Sequence, residues 1–289
     1  SIAAYSANMV FFLEKYLDAY DVGGTMSVHV FGAVFGLATS RFFGPANNEA
    51  LLEGSRNSER IAMMGSLALQ VFWPSMISAS LPAGSKAQFT AVMNTICALC
   101  GSTVSAFGYQ AAFDPERGGH WCEGGRLHPH AISVARFGGG VAIGACAGLP
   151  IGPGPSMLIG NIAGILAAWG YHNEFVPMRY DTMGITYLNL MPGILGALAS
   201  ALAPQIIPGS GIVPENQAFG LLGTIVFAAA SGALTGLLLS CVGVPRVAYN
   251  DEAFIDVSHN EHAKPKSLMG KVWENMRAAV GRRDEEIGH

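Results

Sequence analysis

Asp21-Val22-Gly23-Gly24-Thr25-Met26-Ser27-Val28-His29-Val30-Phe31-Gly32-Ala33-Val34-Phe35-Gly36-Leu37 is the stretch that decides the fold. A carboxylate and a glycine pair lead into a run with no Asp, Glu, Lys or Arg until Arg41. A helix needs about 20 predominantly apolar residues to cross the hydrocarbon core of a bilayer, and this run has that length. Similar runs lie on either side, near 2–19, 61–81, 88–112, 131–151, 155–171, 185–207 and 216–243. They are too long and too evenly apolar for barrel strands. The expected fold is therefore all-α, a polytopic transmembrane helix bundle of about eight spans.

Composition supports that reading. Of the 289 residues, 51% are hydrophobic and only 12% charged, whereas a soluble domain is about one-quarter charged. A net charge of −4 gives no reason to expect a nucleic-acid partner. The charges cluster in 41–60, 114–126, 172–181 and 246–286, between the apolar runs. Residues 1–243 are expected to form the transmembrane domain and 244–289 a polar tail. Ser1 in place of Met, running straight into apolar residues, reads as a cut through a larger protein. Alternate connections carry the Lys and Arg residues: Arg41, Arg56 and Arg60; Arg117 and Arg126; Arg179; and the tail, from Arg246 to Arg283. The positive-inside rule then puts the tail in the cytoplasm. The other side has only Lys15 and Lys86. Small-xxx-small pairs such as Gly32/Gly36, Gly140/Gly144, Gly160/Gly164 and Gly232/Gly236 predict closely packed helices.

Polar groups at membrane depth are costly and mark the candidate sites. His29 reads either as a helix–helix hydrogen bonder or as a pore-lining imidazole. Asn189 sits in similar surroundings, with Pro192 after it expected to break or kink its helix. Asp21 reads as a capping carboxylate or as part of a vestibule for cations. Arg136, a few residues inside its span, reads as a snorkelling side chain. Pro74, after Trp73, is expected to kink the third span. Cys97 and Cys100 form a CxxC inside an apolar helix and read as small packing residues. His120, Cys122, His128 and His130 match no strong zinc pattern. No metal or cofactor is expected, and no nucleophile–base pair or nucleotide loop suggests an enzyme.

Several strings together resemble the ammonium transporter and Rh glycoprotein superfamily, its Rh branch more closely. They are residues 21–37; Ala62-Met63-Met64-Gly65 with Phe72-Trp73-Pro74-Ser75; Asn94-Thr95; Gly139-Gly140-Val141-Ala142-Ile143-Gly144; Asp181-Thr182-Met183-Gly184-Ile185; and Ser231-Gly232-Ala233-Leu234-Thr235-Gly236-Leu237. The resemblance implies two inverted five-helix repeats, the second at about 61–207, with the first three or four helices of the fold lying upstream. It implies a homotrimer with one pore per subunit and a multi-pass protein of the plasma membrane. Two histidines face each other in that family's pore. His29 matches the first, Asn189 stands at the second, and Met76 stands where a gate phenylalanine is usual. Val134 and Arg136 replace an asparagine and a small polar residue.

The expected function is conduction of ammonia from ammonium through an apolar pore. Phe31 and Phe72 are candidates for its wall, and His29, Asn189, Asp21, Met76, Phe31 and Trp73 for the pathway. The alternatives are a non-conducting Rh-like scaffold, with a cytoplasmic partner on the tail, and a carbon dioxide channel. An amphipathic helix is expected over 267–280 in the tail.

Overall fold

A computed structural model of the chain describes residues 2–43, 56–113, 129–173, 175–177 and 180–242. All regular structure among the described residues is helical. Helix α1 is Ile2–Ser6, continuing as the wider π-helical turns of Ala7–Tyr16. Helix α2 opens with a π-helical segment, Thr25–Val30, and runs on as Phe31–Phe43. Then come α3 (Arg56–Ser78), α4 (Lys86–Phe113), α5 (Pro129–Ala135), α6 (Gly138–Ile143) and α7 (Pro153–Asn173). Helix α8 repeats the pattern of α2, with π-helical Thr186–Leu190 followed by Met191–Ile206, and α9 is Pro214–Val242.

Five of these are long and apolar enough to cross a membrane: Thr25–Phe43, Ile61–Ser78, Lys86–Phe113, Thr186–Ile206 and Pro214–Val242. Each of the eight expected apolar segments carries helix, but 2–19, 131–151 and 155–171 are not among these five. Large apolar side chains such as Leu67, Val71, Met93, Val104, Val226 and Leu238 are exposed on outer faces, as lipid-facing positions are.

The fifth expected span, 131–151, is not one helix, which is a correction to the sequence reading. It breaks at Arg136–Phe137 and ends at Ile143, with turns through 144–148. Glycine is a poor helix former, and Gly138, Gly139 and Gly140 sit where a Cβ would collide with Ala163, Ala98 and Trp73. Close approach is gained at the expense of helical continuity. Irregular backbone at membrane depth persists only where protein groups satisfy it, and here they do. Ser102 Oγ donates to the Arg136 carbonyl. Thr25 Oγ1 donates to Val141 O at 2.7 Å and accepts from Ala145 N at 2.7 Å. Gly23 N reaches Gly144 O at 2.9 Å, and Asn94 Nδ2 donates to the carbonyls of Ala147 and Leu149, each at 2.8 Å.

Elsewhere small residues set the packing. Gly232 and Gly236 of α9 admit the Phe35 and Thr39 carbonyls of α2, which a Cβ would approach to 2.5 Å. Thr39 Oγ1 donates across to Gly232 O at 3.1 Å. Helix α3 runs continuously through Pro74. Pro192 does not break α8 but sits in the first turn of its α-helical part, where a missing N–H is tolerated.

Candidate functional site

The candidate site is built on the opening turns of α2 and α8. At α2, Gly24 has φ +72°, a left-handed conformation that a Cβ disfavours. The chain turns there, with Gly24 N donating to Asp21 O at 3.0 Å. The Asp21 carboxylate then accepts from Met26 N at 3.0 Å and Ser27 N at 2.7 Å through Oδ2. These are amides that a helix start leaves without intrahelical partners. His29 N reaches back five residues to Gly24 O at 3.0 Å, which widens the turn. Such π-helical turns are common at functional sites. This one holds the His29 side chain inward, 8% exposed.

The opening of α8 uses the same device. Gly184 has φ +66°, and its N donates to Asp181 O at 3.2 Å. Asp181 Oδ1 accepts from Ile185 N at 2.8 Å and Oδ2 from Thr186 N at 2.9 Å. The residue eight after the aspartate is His29 in one case and Asn189 in the other.

These two side chains meet. His29 Nδ1 lies 3.0 Å from Asn189 Oδ1. In the tautomer that donates from Nδ1 to this amide oxygen, Nε2 keeps a bare lone pair. Nε2 is buried with no hydrogen-bond partner among the described residues. The ring stacks on Trp73 (centroids 5.7 Å apart, planes 10° apart), and Trp73 stacks on Phe137 at 5.0 Å. Trp73 Nε1 is also buried and unpartnered among the described residues. Around the imidazole, then, are an aromatic wall, an unused acceptor and an unused donor.

The other sequence-predicted residues lie apart from this pair. Phe31 is buried and packs its ring near Tyr5, Phe35 and Phe227. Met76 and Phe72 are exposed, at 52% and 67%. Asp21 lies in the connection before α2, where burial pushes its carboxyl up to about 6 while the Ser27 and Met26 amides pull it down. Arg136 does not snorkel, a second correction. Its side chain is 3% exposed and turned into the bundle, where Nη2 donates to Ser66 Oγ at 2.5 Å. The metal candidates His120, Cys122 and His128, the His130 side chain, Arg117, Arg126, Arg179 and the tail, including the helix expected over 267–280, lie outside the described residues.

A model of the Ammonium Transporter Family matches residues 3–264. The chain belongs to the ammonium transporter family. Within it, ammonium transporter Rh type A of Bos taurus is 33% identical over 247 residues, covering 82% of this chain and 55% of the relative. Rh type B of Rattus norvegicus is 35% identical over 262 residues, covering 79% and 54%. The solved structure of Nitrosomonas europaea Rh50 has a TM-score of 0.72 at 26% identity, over 100% of this chain and 72% of that one. Candida albicans Mep2 shares the fold, with a TM-score of 0.64 at 17% identity over 81% and 53% of the two chains. The chain spans about half the length of the curated relatives it matches. This member of the ammonium transporter family is thus an integral, multi-pass membrane protein of the Rh-like branch.

Asp181, Thr25 and Phe137 were not singled out as site residues from sequence. The spacing that marks Asp181 was visible, since an aspartate, a glycine three residues on and an inward polar side chain eight residues on occur twice. Nothing comparable marks Thr25 or Phe137, whose roles depend on the break in the fifth span.

Proposed function

We propose that the protein to which this chain belongs conducts neutral ammonia across a membrane, along a path that passes the His29–Asn189 pair. The observation that carries this reading is the buried imidazole with Nε2 unused, stacked on an indole whose N–H is also unused. Ammonia has three N–H donors and one lone pair, so it suits a wall that offers both an acceptor and a donor. Ammonium has donors only and leaves the indole N–H unanswered. It also loses its hydration in an apolar passage, at a cost of several kcal/mol or more. Carbon dioxide has no donor for Nε2, which ranks it below ammonia.

Asn189 shapes the mechanism. A carboxamide does not take up a proton near neutral pH, so the pair holds a hydrogen-bonding molecule without relaying its proton. The proton of ammonium is therefore left at the approach to the path, and Asp21 is the nearest acidic group in the connection leading to α2. Relatives named as ammonium transporters, and Rh50, described with conduction by the Rhesus family of channels, support the reading. We place the protein as a homotrimer in the plasma membrane, with its C-terminus cytoplasmic.

The test is ammonia-driven alkalinisation of proteoliposomes carrying the complete polypeptide, with and without His29→Ala. We expect the substitution to cut the flux by at least about tenfold, within the range lost with a positioned polar group. An unchanged flux removes His29 from the path. No flux from the unsubstituted protein favours the scaffold alternative.

A further inference from the structure

Arg136 is a buried cation that the ammonia path does not yet explain. A guanidinium stays protonated in proteins, and this one is 3% exposed. Its described contacts are the bond from Nη2 to Ser66 Oγ and the Phe137 ring, 5.5 Å from Cζ to the ring centroid. Nε is buried and has no hydrogen-bond partner among the described residues. No Asp or Glu among the described residues is paired with it.

Its position is informative. Phe137, beneath the guanidinium, stacks on Trp73, and Trp73 stacks on His29. One row of rings therefore joins the charge to the imidazole. On α3, Ser66 precedes Trp73 by seven residues, which is about 10 Å along a helix axis. The charge is thus offset from the His29–Asn189 layer by roughly that distance, toward the end of the bundle where α3 and α5 begin.

We propose that Arg136 determines specificity, acting as a fixed positive charge beside the path that opposes cations and leaves neutral bases unaffected. Two like charges about 10 Å apart, at an effective dielectric near 20, repel enough to disfavour the second roughly tenfold, and a neutral molecule feels none of this. The arrangement complements Asn189. The amide provides no proton relay, and the guanidinium opposes a cation that enters without giving up its proton. The proposal rests on the reading of this region as an ammonia path.

The experiment compares Arg136→Gln and Arg136→Lys in the complete polypeptide, reconstituted in proteoliposomes. Two quantities are read: current evoked by an ammonium pulse, and lumen alkalinisation by neutral ammonia. Arg136→Gln keeps a donor for Ser66 without the charge, and we expect its ammonium current to rise about tenfold with alkalinisation within about twofold of the unsubstituted protein. Arg136→Lys keeps the charge and should match the unsubstituted protein in both. Arg136→Met serves as a second neutral variant if Gln disturbs assembly.

An unchanged current in the neutral variants, with alkalinisation intact, overturns the barrier and leaves the ammonia path standing. That result is expected if an acidic side chain outside the described residues neutralises Arg136. A current in Arg136→Lys as large as in Arg136→Gln also overturns it, because shape rather than charge would then be responsible. Absence of both signals in every protein removes the ammonia path, and the barrier with it.

Discussion

The openings of α2 and α8 are built alike and finished differently. Each has an aspartate, a left-handed glycine three residues later, a carboxylate on two backbone amides and a π-helical segment. At α8 both carboxylate oxygens are used and Asp181 is buried. At α2 only Oδ2 is bonded, Oδ1 has no hydrogen-bond partner among the described residues, and Asp21 is half-buried. One segment presents an imidazole and the other a carboxamide. The backbone device therefore does not depend on which polar group it presents. It places a side chain in the centre, and the side chain then decides whether a proton can be taken up.

Removing the two carboxylates should separate the frames. Asp181→Ala strands the Ile185 and Thr186 amides and loses a carboxylate with both oxygens bonded, and each buried unsatisfied donor costs about 1–3 kcal/mol. Asp21→Ala strands the amides of buried Met26 and Ser27, but it also removes Oδ1, a buried acceptor with no hydrogen-bond partner among the described residues. Thermal melts in detergent should show the larger loss for Asp181→Ala, by several degrees. Equal losses would mean that the unbonded oxygen of Asp21 has no energetic consequence.

Converting the second frame to match the first is the next largest effect. Asn189→His puts a titratable ring in place of the amide that Nδ1 of His29 now meets at 3.0 Å. A positioned proton carrier contributes about a hundredfold or more in favourable cases. With Arg136 still in place we expect a smaller gain, roughly tenfold, in ammonium-evoked current. A current no larger than that of the unsubstituted protein would show that Asn189 is not what keeps charge from crossing.

The same comparison shows what the sequence discloses. Long apolar runs are legible because hydrocarbon thickness sets their length, and the positions of the long helices follow from that. The break at Arg136–Phe137 is not legible, because Ala131–Ile143 is apolar almost throughout and hydropathy is blind to backbone hydrogen bonds. What permits the break is a set of polar groups from distant segments, Ser102, Thr25 and Asn94. The inward turn of Arg136 is hidden for the same reason, since its partner Ser66 lies 70 residues away. The pairing of His29 with Asn189 was suggested by their similar surroundings, but their contact spans 160 residues of sequence. The π-helical turns depend on a five-residue hydrogen-bond register that no residue type announces.

The smallest effect concerns the looser frame alone. Burial raises the Asp21 carboxyl to about 6, from 3.8 for an unperturbed aspartate. Between those values the folded protein binds a proton that the unfolded chain does not, so this group favours folding more as pH falls from 7 toward 4. The contribution is lost as pH rises through 6. Asp21→Asn removes it. The melting temperature of the unsubstituted protein, measured relative to Asp21→Asn, should therefore climb by a few degrees between pH 7.5 and pH 5, about what 1 kcal/mol produces in a protein of this size. Parallel melting curves across that window would mean that water solvates Asp21 as an ordinary surface carboxylate, and that the α2 opening is held by its backbone turn rather than by its charge.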